Sequence, residues 1–338
     1  MGNQLSLFDI LLPPDKRDFT KISRFLTNIP IFYWGHQVHN KDTILKRKFI
    51  NERDVWIDAN TKKTIKEEMN ITIKGTTVEN GKFEFLNLVC CNVLDALIFL
   101  ACRDDTVRTI DENGNCVIEL THNKIYQTLN KKVLSTDIRK SIEKLHDTAI
   151  YISDKNGNNV ISMENIISKY GIKEKNNVNN SIYYIGFNKA FSEQIATNRV
   201  KLLAWNNLID LKNPLSKYIV KKIVLMDIWT TKNYQKAYKS KSLFTFLLNS
   251  GYDLTTEMNK NNSMACFRKA RRELIEKGLV EVLDIVPIRE GNKIIDYTFT
   301  IIPSQKLVDN NFNQLGKEAI RRKRKKNEKE YFLPFAKT

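Results

Sequence analysis

The sequence predicts an α+β protein, and three observations lead to this class. Residues 213–303 show three segments with helical spacing, followed by two segments with the alternating spacing of strands. Residues 93–163 show the same order in a weaker form. At 338 residues the chain is longer than single cores usually grow, about 250–300 residues, so two domains are expected. Hydrophobic residues make up 42% of it, which is enough for buried cores.

Two helices are predicted first in the C-terminal half. Asn213-Pro214 places an N-cap asparagine before a proline at the first helical position, which is typical of a helix start. A second helix is expected from Ser242 to Leu248. It should end at Gly251, where a glycine suits a left-handed cap.

A third helix and a β-hairpin follow. Asn262 and Ser263 are expected to open the helix. Glu281–Ile288 and Ile294–Ile302 are predicted to be strands joined by a turn, because apolar and polar residues alternate in the second of them.

Residues 93–163 repeat this order in pattern, although not in residue identity. Val93–Ala101 is predicted as an apolar helix, Thr121 as the cap of a short helix, and Ser135 as the start of another. Asn-Gly within Lys155–Asn159 is a strong signal for a hairpin turn. Three helices before a hairpin is the order of a winged helix-turn-helix.

The sequence therefore predicts two tandem winged helix-turn-helix domains with additional termini. We place the domains at residues 19–195 and 196–309. A flexible N-terminal arm at 1–18 contains Pro13-Pro14, and a basic tail covers 310–338. The polar run Lys173–Asn180 has no periodicity and is predicted to be a loop.

The chain carries a large positive charge. Its formal net charge is +17 and its pI is about 9.5. This excess indicates a polyanionic partner, either a nucleic acid or an acidic membrane face. The abundance of Lys, Asn and Ile leaves a second explanation open, the codon bias of an AT-rich genome. The basic run Arg321–Lys326 could add non-specific phosphate binding or act only as a solubilising end.

Cysteine usage and hydropathy indicate a cytoplasmic protein. The five cysteines form no CxxC pair and their number is odd, which is typical of reduced thiols that pack as small hydrophobic side chains. No apolar run reaches the length of a membrane span, and the N-terminus lacks a signal-peptide pattern. No membrane partner is expected.

The third helix of the second domain is the expected DNA-contacting element. If Phe267, Ala270 and Leu274 face the core, Lys269 and Arg272 point directly away from it. The alternative is a solvated face in which arginines pair with nearby glutamates. The residues expected to contact DNA here and at the hairpin tip are Asn262, Ser263, Arg268, Lys269, Arg271, Arg272, Arg289 and Lys293.

The corresponding helix of the first domain offers a weaker signal. Thr136, Arg139, Lys140 and Lys144 are expected on its outward face. Glu143 lies among them and dilutes the charge, so a solvated helix explains the pattern equally well.

The sequence gives no support for catalysis. It has no GxxxxGK[ST] loop, and His36 and His39 lack the spacing of a strand-borne metal pair. No nucleophile motif or carboxylate cluster is evident. We therefore expect neither an enzyme nor a bound metal or cofactor.

In architecture, residues 20–310 resemble bacterial plasmid replication initiators of the Rep, RepA and TrfA kind. The resemblance also includes a short motif, because Gln4-Leu5-Ser6-Leu7-Phe8 is similar to the QL-[SD]-LF peptide that docks on the bacterial sliding clamp. In such a peptide Leu7 and Phe8 would fill an apolar pocket, Leu5 would add a smaller contact, and Gln4 would hydrogen-bond through its amide. Alternatively, these apolar residues fold onto the first domain.

The resemblance implies a function and a set of partners. Such a protein binds double-stranded repeats (iterons) at a replication origin and recruits the sliding clamp, the host initiator and the replicative helicase. It also implies a homodimer that exchanges with an origin-active monomer. A transcriptional repressor or phage regulator with the same fold remains the alternative. A nicking initiator would need paired histidines and a catalytic tyrosine.

Overall fold

The computed structural model describes most of the chain between residues 18 and 309. The described residues are 18–23, 27, 30–32, 34, 44–56, 62–78, 82–103, 105–163, 165–174, 177–196, 200–226, 229 and 235–309. Gln4–Phe8, His36, His39 and Arg321–Lys326 lie outside them, so what the sequence predicts for those residues stays a prediction.

Helices and strands are mixed along the chain, which confirms the α+β class. The helices are α1 (Leu88–Ala101), α2 (His122–Thr128), α3 (Ser135–Asp147), α4 (Lys189–Ala196), α5 (Trp205–Ile209), α6 (Pro214–Leu225), α7 (Leu243–Asn249) and α8 (Glu257–Glu276). The strands are β1 (Phe19–Ser23), β2 (Ile44–Trp56), β3 (Lys62–Lys74), β4 (Thr76–Val78), β5 (Lys82–Glu84), β6 (Val107–Ile110), β7 (Cys116–Thr121), β8 (Ala149–Asp154), β9 (Asn159–Met163), β10 (Ile167–Lys173), β11 (Ile182–Phe187), β12 (Val200–Ala204), β13 (Tyr238–Ser240), β14 (Val280–Glu290) and β15 (Lys293–Pro303).

The predicted starts of α6 and α7 are confirmed by their caps. The Asn213 side chain accepts a hydrogen bond from the Leu215 amide at 2.8 Å, with Pro214 in the first turn. Ser242 Oγ accepts one from the Thr245 amide at 3.0 Å. Gly251 follows α7 with φ +99°, the left-handed conformation expected at that position.

Helix α8 begins earlier than the sequence analysis predicts. Its N-cap is Thr256, whose Oγ1 accepts a hydrogen bond from the Asn259 amide at 3.1 Å. The prediction that Asn262 and Ser263 open this helix is therefore wrong, and both lie in its second turn. The Thr256 hydroxyl already satisfies one of the free amides of the first turn, so no cap is needed further along.

A three-stranded sheet packs against α8. The strand order is β13–β15–β14, and β14 and β15 form the predicted hairpin. Asp296 of β15 accepts hydrogen bonds from Ser242 Oγ at 2.6 Å and from the Phe244 amide at 3.1 Å. The hairpin is thereby fastened to the start of α7. Burial is confined to the half of β15 nearest the core, since Phe299 and Ile301 are buried but Ile295 is exposed.

The predicted elements of the N-terminal half are also present. Thr121 caps α2 by accepting a hydrogen bond from the Lys124 amide at 3.2 Å, and α3 begins at Ser135. Strands β8 and β9 form the hairpin predicted around Gly157. They extend a sheet of order β2–β3–β8–β9, whose long β2–β3 hairpin the sequence analysis does not predict.

A second four-stranded sheet, of order β10–β11–β7–β6, completes the N-terminal half. The segment predicted as a loop at Lys173–Asn180 connects β10 to β11, although Lys173 ends β10 and Val178–Asn180 forms a 3-10 turn. Helix α1 is almost entirely buried and packs against α3. It forms the centre of the core of this half.

The two halves share one apolar core. Strand β12, which lies after the predicted boundary at 195/196, pairs with β1. The ring of Trp205 stacks on Phe99 of α1 with centroids 4.7 Å apart. The boundary itself stays a prediction.

All five cysteines are free, as predicted, and four of them are buried. Burial raises the pKa of the Cys91 thiol to about 12, so this group stays protonated and packs as a small apolar side chain. Among the residues that the structure describes, no helix combines the length and apolar character needed to cross a membrane.

Candidate nucleic-acid interface

Helix α8 is held in place by its inner face. Phe267, Ala270 and Leu274 are buried as predicted, and the helix packs against α6 and β14. Because these three side chains fix the rotation of the helix, they also determine which residues face solvent. The inner face is therefore what positions the charged face.

Three basic side chains lie on the outer surface of α8. Arg268, Lys269 and Arg272 are exposed, and none of them forms an ion pair with another described residue. At 100° per residue, Lys269 and Arg272 point away from the core and Arg268 lies at the side of that face. This set, which we call the α8 basic face, has charge available for a partner.

The nearby glutamates do not neutralise the α8 basic face. Glu273 accepts hydrogen bonds from the backbone amides of Lys212 at 2.6 Å and Asn213 at 3.1 Å. Its carboxylate is therefore occupied in satisfying amides at the start of α6. Glu273 is therefore not the partner of an arginine on α8, which argues against the alternative of a solvated face held by arginine–glutamate pairs.

Two of the predicted DNA-contacting residues on α8 behave differently. Ser263 is only 2% exposed, and its Oγ donates a hydrogen bond to the Asn259 carbonyl at 2.8 Å. The prediction that Ser263 contacts DNA is wrong for this reason. Arg271 is exposed but pairs with Asp284 of β14 at 2.7 Å, so its charge is partly neutralised. Asn262 is exposed as expected.

The hairpin tip lies close to the first turn of α8. Arg289 and Lys293 are both exposed beside Gly291, which has φ +58° in the turn. A hydrogen bond from Lys260 at 2.8 Å lowers the pKa of Glu257, and the charge of Lys293 lowers it further. The charge of Lys293 at the hairpin tip therefore acts on Glu257 in the first turn of α8.

The predicted face on α3 is largely neutralised. Arg139 pairs with Glu143 at 3.0 Å and with Glu174 at 2.9 Å. Lys144 is mostly buried and pairs with Glu84, so the prediction that it faces outward is wrong. The structure leaves Thr136 and Lys140 exposed.

The sequence analysis missed residues that share the outer surface of α8. With the helix starting at Glu257, Met258, Asn261 and Ala265 lie on the same side as Lys269. The signal that would have found them is Thr256 followed by Glu257, an N-cap with an acidic first turn.

Within the described residues, no group of three or more His, Cys, Asp or Glu side chains is arranged to hold a metal ion.

Comparison with known proteins gives a match in structure. No family model matches the chain, and no curated protein matches its sequence. Nineteen chains of solved structures match. One belongs to the crystal structure of Pi initiator protein in complex with iteron DNA, with 14% sequence identity and a TM-score of 0.45, covering 64% of this chain and 91% of that chain. The chain is thus similar to an initiator protein.

Proposed function

We propose that this protein binds specific duplex DNA sites through a winged helix and acts as a replication initiator at repeated origin sequences. The observation that carries the proposal is the α8 basic face, which presents three exposed and unpaired positive charges, and the hairpin tip exposes two more. An exposed helix that presents unpaired basic residues fits the major groove of DNA, where phosphates lie on both sides.

The element order supports the winged-helix assignment. Helices α6, α7 and α8 precede the β14–β15 hairpin, and β13 joins that hairpin in the order β13–β15–β14. In this arrangement α8 is the recognition helix, which lies in the major groove, and the hairpin tip is the wing, which contacts the adjacent backbone. At 20 residues α8 is about 30 Å long, enough to cross the groove.

The N-terminal half has a similar order but a different surface. The helices α1, α2 and α3 precede the β8–β9 hairpin, so we propose a second winged helix there. Because Arg139 and Lys144 are paired with glutamates, this unit should contribute less to DNA affinity than α8 does. A role of this half in a homodimer stays an expectation from the family resemblance.

The initiator role, as opposed to repression, depends on the pentapeptide Gln4–Phe8. The DNA surface would serve a transcriptional repressor or phage regulator equally well. A protein that only represses transcription has no need to bind the sliding clamp. We therefore propose that the pentapeptide recruits the clamp, with Leu7 and Phe8 as its anchors.

Clamp binding has a direct test. Replacing Leu7 and Phe8 by alanine should abolish binding of the full chain to the purified sliding clamp and leave DNA affinity unchanged. If clamp binding persists in this variant, the pentapeptide is not the docking element. If the parent chain does not bind the clamp, the repressor alternative is favoured.

The DNA interface is tested by removing two charges from α8. Lys269→Ala/Arg272→Ala should weaken binding to every duplex and lower the slope of log affinity against log salt by about 2, because two phosphate contacts are lost. Lys173→Ala/Lys306→Ala, which removes two exposed lysines elsewhere, is the matched control. Equal affinities of the two variants would show that α8 is not the interface.

We also propose that the protein binds DNA without cleaving it. A nicking initiator forms a covalent bond between a tyrosine and the DNA. Incubation of the protein with labelled supercoiled DNA and a divalent metal should therefore yield no covalent adduct, and an adduct would contradict this part of the proposal.

A further inference from the structure

The outer surface of α8 changes character along the helix. Its first half presents Met258, Asn261, Asn262 and Ala265, all exposed and all uncharged. Met258 is 73% exposed, which is high for a large apolar side chain. The second half presents the α8 basic face. We call the four uncharged residues the α8 neutral face.

The polar groups of the α8 neutral face are free to bind a partner. Asn261 and Asn262 make no side-chain hydrogen bond with another described residue. Asn259, in contrast, donates its amide to Asp253 at 2.9 Å, so it is held against the protein. Two neighbouring asparagines on an exposed helix thus present unused donors and acceptors.

The charged residues around this face are already paired. Lys260 forms an ion pair with Glu257 at 2.8 Å, and its ammonium lies 5.9 Å from the centroid of the Phe244 ring. In the first half of the described helix, no arginine or unpaired lysine therefore faces outward with the neutral residues. This part of the surface does not favour phosphates.

Base edges in the major groove offer the complementary chemistry. An asparagine amide can pair bidentately with N6 and N7 of adenine, and apolar side chains contact the C5-methyl group of thymine. Guanine is most often recognised by arginine, which the neutral face lacks. These preferences together select A·T base pairs.

We propose that the α8 neutral face recognises a block of A·T base pairs, while the α8 basic face binds the flanking phosphates. The proposal rests on the proposed function, since it assumes that α8 enters the major groove. Met258 and Ala265 are seven residues apart, about 10 Å along the helix. With base pairs spaced about 3.4 Å apart, the block covers roughly three base pairs.

The experiment begins with selection of duplexes from a random library by the full-length protein. The bound sequences should share a block of A·T pairs, protected in the footprint of α8. Replacing adenine in that block by 7-deazaadenine removes N7, and replacing thymine by uracil removes the methyl group. The adenine change removes one of the two hydrogen bonds of the bidentate contact. It should therefore reduce affinity by less than the about 5- to 150-fold expected for loss of the whole contact, and the thymine change should have a smaller effect still.

Variants connect these effects to named residues. Asn261→Ala/Asn262→Ala should bind unmodified DNA more weakly and lose the sensitivity to 7-deazaadenine. Both residues are exposed, so the fold should be preserved, and circular dichroism checks this. Lys269→Ala is the control, because it should weaken binding and keep the full sensitivity.

The outcomes separate this proposal from the proposed function. Specific binding that depends on Lys269 and Arg272, but is insensitive to both base analogues, would overturn the A·T assignment alone. Sensitivity to 7-deazaadenine that persists in the double asparagine variant would also overturn it. If no sequence is selected, or the α8 basic variants bind as the parent does, the proposed function itself fails.

Discussion

Substitution of Asp95 should destabilise the protein more than any change on the DNA-binding surface. Asp95 of α1 accepts hydrogen bonds from Lys221 of α6 at 2.6 and 2.9 Å. The Asp95 side chain is 8% exposed and that of Lys221 is 15% exposed. Lys217, one turn earlier on α6, is also buried and is attracted to the same carboxylate.

The expected magnitude follows from this burial. Asp95→Leu leaves two buried ammonium groups without their counter-ion, and removal of one partner of a buried pair costs about 3–5 kcal/mol. Asp284→Leu breaks an exposed pair with Arg271 and should change the free energy of unfolding by about 1 kcal/mol or less. The added change Lys221→Met should recover part of the loss, because an apolar pair replaces the Asp95–Lys221 pair while Lys217 stays without its counter-ion.

The effect also has a defined pH dependence. Burial opposes ionisation of Lys221, but the facing Asp95 carboxylate more than compensates and raises the pKa of Lys221 above its ordinary value. A lysine whose pKa is raised on folding stabilises the protein fully below its unfolded pKa, about 10.4, and this contribution disappears as the pH rises through the folded value. The advantage of the parent protein over Asp95→Leu should therefore shrink as the pH rises towards and through the folded pKa of Lys221, because a neutral lysine no longer needs the Asp95 carboxylate.

Urea unfolding followed by circular dichroism measures these differences at pH 7 and at higher pH. The variants are compared by the urea concentration at the midpoint of unfolding. The dependence of the free energy of unfolding on urea concentration should be the same for all of them, because a change in that slope would indicate a change in the unfolded state. Stability of Asp95→Leu equal to that of Asp284→Leu would refute the reasoning. A loss that stays constant to pH 11 would show that packing, not charge, is responsible.

Two further predictions concern stability. Burial alone would raise the pKa of Asp111, but hydrogen bonds from Lys169 and neighbouring amides lower it to about 2. The ionised Asp111 side chain therefore stabilises the folded protein above about pH 4, and this stabilisation is lost as the pH falls to about 2. The stability difference between the parent and Asp111→Asn should close over that interval in urea titrations. Gly251→Ala should cost at least about 1 kcal/mol, because φ is +99° and a Cβ would lie 2.5 Å from the Phe32 carbonyl oxygen. Gly278 has φ +62° and open space around the position of a Cβ, so Gly278→Ala should lower the melting temperature less than Gly251→Ala does. Equal decreases in melting temperature would contradict the steric explanation.

Local signals predicted most of the elements that carry the interface. Asn213, Thr121 and Ser242 cap helices through their own side chains, and such contacts span only two or three residues. The hairpin turns at Gly157 and Gly291 are local in the same sense. Patterns of this kind are visible in sequence because the interacting groups are neighbours.

Two of the failures have a common physical cause, which is contact between distant parts of the chain. Lys144 has outward spacing on α3 but pairs with Glu84, sixty residues away in sequence. The β2–β3 hairpin is completed by β8, which pairs with β3 far along the chain. Ser263 is buried because it lies four residues before Phe267, on the inner face of α8, and the prediction failed because it placed the start of the helix too late. The Lys144–Glu84 pair and the pairing of β3 with β8 cannot be derived from residue spacing alone.

The most direct test of specific DNA recognition is the ratio of two affinities. Fluorescence anisotropy at physiological salt would compare a selected duplex with a scrambled duplex of equal length and with heparin. Recognition by α8 predicts that the selected duplex binds at least about 10³-fold more tightly than the scrambled one. Equal affinity for all three polyanions, abolished together by added salt, would contradict the account.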